Sequence, residues 1–153
     1  MPQKILTGLI LTLMAATPIF AQSAPSDHGD IPQAVIETFA LEPPISQADV
    51  DAYIKIIPEL PKLMNDPQSA ETIAAAHNLS PVRFSYIMAK VPLTMAIAAG
   101  ADPKTLGLEA LPKVLHPTAP ELAVVRTNLE ALSATAAEAY KALAETAPGA
   151  TAK

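Results

Sequence analysis

The sequence predicts an all-α protein, a single-domain bundle of five or six helices with Pro-kinked members, after an N-terminal signal peptide. Apolar residues recur at three- and four-residue spacing along most of the chain from Val35 to Leu143, the period of a helix with one buried face. Capping residues stand ahead of these stripes, as in Ser46 with Asp49, Ser80-Pro81 and Thr118 with Glu121. The first residues have the order of a secretory leader: Lys4 as the positive region, residues 5–16 as an apolar run, then Pro18 and a small residue, Ala21.

A mostly apolar stretch of 12 residues is too short to span a bilayer, which takes roughly 20. The expectation is therefore cleavage after Ala21, with Ser23 or Ala24 as alternatives, and no membrane attachment afterwards. The chain of 153 residues has no cysteine, so neither a lipoprotein anchor nor a disulfide can hold it and its stability must come from a packed core. The expected organisation is a signal peptide over residues 1–21, a flexible lead-in over 22–30, a helical domain over 31–146 and a disordered tail over 147–153. The net charge of −5 becomes one unit more negative when Lys4 is removed, and the basic residues are scattered singly. Binding of nucleic acid needs a clustered basic face and is not expected, nor is a polybasic membrane patch.

Taken in order, residues 31–40 should form a short helix capped by Asp30, with Pro32 in its first turn and Glu42-Pro43-Pro44 as its end. Ser46 and Asp49 open a second helix whose stripe runs Val50, Tyr53, Ile54, Ile57, Leu60 and Met64. Pro58 and Pro61 fall inside that stripe, and because each lacks an N–H, the helix should kink or break near Ile57. Asp66-Pro67 restarts a short helix through His77, with Asn78 suited to a left-handed stop.

Ser80-Pro81 starts a helix to Ala99 that stops at Gly100. It is apolar on most of its circumference and so is expected at the centre of the bundle. Pro92 inside it predicts a kink, with Ser85, Tyr86 or a neighbouring helix satisfying the freed carbonyl. Residues 102–117 contain Gly107 and Pro112 and should form one or two short turns. Thr118 and Glu121 then cap a long helix over 119–146, in which Leu122, Val125, Leu129, Leu132, Ala136, Ala139 and Leu143 alternate at three and four residues. That seam fits either a coiled-coil partner, including self-association, or packing inside the chain's own bundle.

Candidate chemistry is sparse. There is no Gly-x-Ser-x-Gly elbow and no His-Glu-x-x-His, and His28, His77 and His116 each stand alone, so no catalytic triad and no metal site is expected. Haem attachment through Cys-x-x-Cys-His is excluded, and Met64, Met88 and Met95 read as core fillers, so no cofactor is expected. The best ligand-binding candidates are Arg83, Tyr86 and Lys90, which share part of one helical face; two cations and a phenol can hold a carboxylate or phosphate. The competing reading is that the two cations reach water and pair with Asp66, Glu71 or an acid of the last helix. Adding Arg126 would give a pocket that resembles, in shape alone, that of a secreted chorismate mutase, which implies a dicarboxylate substrate for the enzymatic alternative. The leading expectation is an exported, periplasmic helical protein that binds or interacts and is not an enzyme.

Overall fold

Helix starts fall close to where the capping residues put them. The structure, a computed structural model, describes residues 31–146, and the regular elements of those residues are all helical. The leader, the lead-in with His28 and the tail lie outside the described residues. Helix α1 spans Gln33–Ala40, two residues later than expected, because extended Pro32 takes the N-cap position at ψ 139°. The expected cap, Asp30, is also outside the described residues.

Helix α2, Gln47–Ile56, opens with a capping box in which the Ser46 N–H and hydroxyl both donate to Asp49 Oδ2, at 2.7 and 2.6 Å. It ends where Pro58 cannot continue the backbone ladder: a 3-10 turn over Ile57–Glu59 leads into α3, Leu60–Asn65, as the two prolines predict. Helix α4, Ser69–Ala76, starts after a turn in which Asp66 takes the N–H groups of Gln68 and Ser69. His77 is its C-cap and Asn78 has φ 57°, the left-handed stop expected of it.

Helix α5, Pro81–Ala98, is the axis of the molecule. Every residue over 84–94 is buried, and α5 meets α1, α2 and α4 and, beyond them, the 3-10 turn over Lys113–Leu115. Its helical run passes through Pro92 without interruption. Ser85 does not cap the carbonyl that Pro92 frees, since its buried Oγ has no hydrogen-bond partner among the described residues. Residues 102–117 fold into two 3-10 turns, Leu108–Ala110 and Lys113–Leu115.

The single long helix expected over 119–146 is instead two: α6, Ala119–Thr127, and α7, Leu129–Thr146. The interruption is Asn128, whose side-chain amide donates to the Val124 carbonyl at 2.9 Å while its own N–H turns to Val125 at 3.1 Å. A side chain that bonds four residues back competes with the ladder and tightens the turn. Both α6 and α7 pack on α5. Of the seam residues, Val125, Leu132 and Ala139 are buried in the chain's own core, while Leu122, Leu129, Ala136 and Leu143 are half-buried. No helix among the described residues is long and apolar enough to cross a membrane.

Candidate functional site

Two places gather polar chemistry: the seam along α5 and a hollow beside the end of α4. On the seam, Ser80 holds the first turn of α5 by accepting the Arg83 N–H at 3.1 Å, and from there helical spacing places Arg83, Tyr86 and Lys90 along one side. The structure brings these three together around one ring. The Arg83 guanidinium carbon lies 5.2 Å from the Tyr86 ring centre and Lys90 Nζ 5.1 Å from it, both within cation–π range. Phe39 of α1 meets the same ring edge-on at 5.4 Å.

Arg83 uses all five of its N–H donors on the chain itself. Nε and Nη2 grip Asp49 of α2 at 2.9 and 2.5 Å as a bidentate fork. Nη1 reaches the Pro43 carbonyl at 2.6 Å and Glu42 at 3.3 Å, and Nη2 also reaches the Pro44 carbonyl at 3.2 Å. The prolines matter here: they keep the α1–α2 linker out of a helix, which leaves its carbonyls available to an arginine. Burial works against the Asp49 charge, but the hydrogen bonds from Arg83 and Ser46 outweigh it and hold its pKa below the ordinary 3.8. For Arg83 the same contacts outweigh desolvation and raise its pKa further.

Lys90 is almost wholly buried and bonds both the Tyr86 hydroxyl and Glu121 Oε1 at 2.8 Å. Glu121, fully buried, has four partners. Its Oε1 also accepts the Ile45 N–H at 2.9 Å, and Oε2 accepts the N–H and hydroxyl of Thr118, each at 2.8 Å. Burial again opposes the charge, and Lys90, Ile45 and Thr118 together bring the Glu121 pKa below 4.5. One carboxylate therefore caps α6, neutralises α5 and pins the linker. Arg126, the third cation considered with this face, is exposed on α6.

Lys90 thus pairs with an acid of the 119–146 segment, one of the two classes of partner expected if the cations were structural. Arg83 pairs with Asp49 and Glu42, which lie 34 and 41 positions earlier, a separation at which helical periodicity carries no signal.

The hollow, about 470 Å³, is open to solvent and bordered by Asp51 and Lys55 of α2 together with Ala76, His77 and Asn78 at the end of α4. His77 Nε2 lies 2.8 Å from Glu59 Oε1, so the ring ties the end of α4 to the 3-10 turn after α2. His116 is tied to the Leu111 carbonyl at 3.0 Å. Among the described residues no three His, Asp or Glu side chains converge to hold a metal ion. The chain matches no protein-family model, no curated protein and no solved structure.

Proposed function

We propose that the chain is exported to the periplasm by a leader removed after residue 21, and that the mature helical domain works by binding a partner, without catalysing a reaction. The observation that carries this reading is the state of the buried charges. Arg83, Asp49, Lys90 and Glu121 are each satisfied by other groups of the same chain, an arrangement suited to fixing the relative positions of helices. The partner surface is then the outside of the bundle, with the half-buried residues Leu122, Leu129 and Leu143 along α6 and α7 as its apolar part. Bacterial expression of the full chain, fractionation and intact-mass measurement test the first half of the proposal: a periplasmic product shortened at residue 21 is expected, and uncleaved precursor in the membrane fraction overturns it. Light scattering and in-cell cross-linking test the second half, where a protein that is strictly monomeric and cross-links to nothing overturns it.

A second reading is an anion binder or small all-α enzyme for a carboxylate or phosphate ligand, in which the ligand takes the place of the acids that now hold Arg83 and Lys90 beside the Tyr86 ring. In that case a panel of dicarboxylates and inorganic phosphate raises the melting temperature of the mature protein. A flat response across the panel removes this reading.

A further inference from the structure

The two buried carboxylates share a property that neither has alone: both hold the same stretch of chain. Asp49 grips it through Arg83, which binds Glu42 and the carbonyls of Pro43 and Pro44, and Glu121 grips it at the Ile45 N–H. Helix α1 lies just ahead of these points. It is eight residues long, buries two side chains, Val35 and Phe39, and packs chiefly on α5 and the turn over Lys113–Leu115. With Ile45 the stretch has three buried apolar side chains, and a short segment so lightly anchored depends on its polar fastenings more than the remainder of the bundle does.

We propose that residues 33–45 form an acid-released strap, buckled over Tyr86 by the Asp49–Arg83 and Glu121–Lys90 pairs and able to come away while the other helices stay folded. Protonation of Glu121 weakens its acceptance of the Ile45 N–H and takes away the negative charge that balances the buried Lys90 ammonium. An unbalanced interior charge draws in water, and the linker that lies on Glu121 is exposed at Pro43, Pro44 and Ser46. Protonation of Asp49 likewise loosens the charge-assisted fork that holds Arg83 against the proline carbonyls. Release uncovers the Tyr86 ring between its two cations.

The direction with pH follows from the lowered values. A carboxylate whose folded pKa lies below its unfolded one contributes stability that is fully present above the unfolded value and disappears as pH falls through the folded one. The buckle is therefore closed at neutral pH, begins to weaken near the ordinary 4.5 of Glu121 and 3.8 of Asp49, and opens below them. The other titratable and charged groups nearby are Glu42 on the linker, exposed Glu37 on α1, exposed Asp51 on α2, the Tyr86 phenol on α5, exposed Lys113 and half-buried His116 from the turn under α1, and exposed Arg126 on α6.

The test is hydrogen exchange read by mass spectrometry on the mature protein, with protection factors corrected for intrinsic rates, from about pH 7 to about pH 3. Amides of residues 33–45 are expected to lose protection at a higher pH than those of α7. At neutral pH, Glu121→Gln should lower strap protection by about tenfold with α7 little changed, the loss expected when a hydrogen bond to a charged group is weakened. In the double variant Asp49→Asn, Glu121→Gln the strap should no longer respond to acid before α7 does; a surviving response would assign the effect to other groups and overturn the proposal. Should the variants fail to fold, the wild-type series decides. Strap and α7 opening together at every pH, or a strap that keeps its protection down to about pH 3, sinks the idea.

Discussion

The bundle has two sides built on different physics. Where α1, the proline linker, α2, α5 and α6 meet, the contact is held by an arginine fork and a buried lysine–glutamate pair. Where α7 lies on the 3-10 turn over Ile57–Glu59 and on α3, it is held by apolar area, with Ile57, Leu60, Leu63, Leu132 and Ala139 buried. Apolar contact is non-directional and tolerates small shifts of one helix along another, whereas a guanidinium with five assigned acceptors tolerates none. The charged side therefore sets where the linker and α1 sit, and the apolar side supplies stability with less demand on position. The two tyrosines of the apolar side fit this division: burial first, and then the neighbouring Tyr140, push the Tyr53 phenol far above its ordinary value, so it packs as a neutral ring.

The contrast breaks most clearly at Glu121. Glu121→Ala leaves Lys90 as an uncompensated interior cation and the Ile45 and Thr118 N–H groups without acceptors, so chemical denaturation should show a loss of about 3 to 5 kcal/mol. A loss under about 1 kcal/mol, the range of exposed pairs, would mean that water already reaches the pair. On the opposite side, Leu132→Ala opens a cavity at a fully buried position and should cost about 3 kcal/mol by the same measurement. The two variants should differ in kind as well as size: the loss at Glu121 should shrink in acid, where the wild-type carboxylate is itself protonated, and the loss at Leu132 should not.

Much of the fold was legible because its signals are local. Ser46 with Asp49, Ser80-Pro81 and Thr118 with Glu121 start helices within one turn of themselves, and Pro58 with Pro61 ends one by steric rule. Asn78 needed only its tolerance of positive φ. The break at Asn128 was not legible, since an asparagine between Thr127 and Leu129 also fits an exposed helical position, and what decides it is a side chain turning back to Val124. The candidate site was half legible. Spacing places Arg83, Tyr86 and Lys90 on one face, and the structure keeps them there. The partners Asp49, Glu42 and Glu121 come from distant segments, and the capping pattern that identifies Glu121 uses only one of its two oxygens. The other oxygen, free in the motif, was the one signal that could have pointed to Lys90.

Ser85 sharpens the comparison in the opposite direction. Its hydroxyl is buried on α5 with no partner among the described residues, an unmet polar group in a helix whose charged side chains Arg83 and Lys90 are both paired. Ser85→Ala removes the desolvated hydroxyl at the cost of a single atom of volume and favours the helix slightly, so the melting temperature should rise, with a gain of about 1 kcal/mol. A fall in stability would show instead that the hydroxyl is bonded, and the partner to seek would be a buried water.

The smallest expected effect is at the joint between α6 and α7, where the two sides meet. Asn128 exchanges reciprocal amide hydrogen bonds with Gln47 of α2, at 2.9 and 3.1 Å, and both are exposed to competing water. Asn128→Ala gives up those bonds and the one to Val124, but replaces a poor helix former by the best one, a gain of about 0.6 kcal/mol. With losses and gains of similar size, stability should stay within about 0.5 kcal/mol of the parent. What should change is geometry: with the side-chain competitor gone, the N–H of residue 128 can return to the Val124 carbonyl and fuse α6 to α7. Nuclear magnetic resonance secondary shifts across residues 126–130 report this directly. Persistence of the break in the alanine variant would place its cause in the packing of α6 against the charged side and of α7 against the apolar one, and Asn128 would then accommodate a bend that the two sides impose.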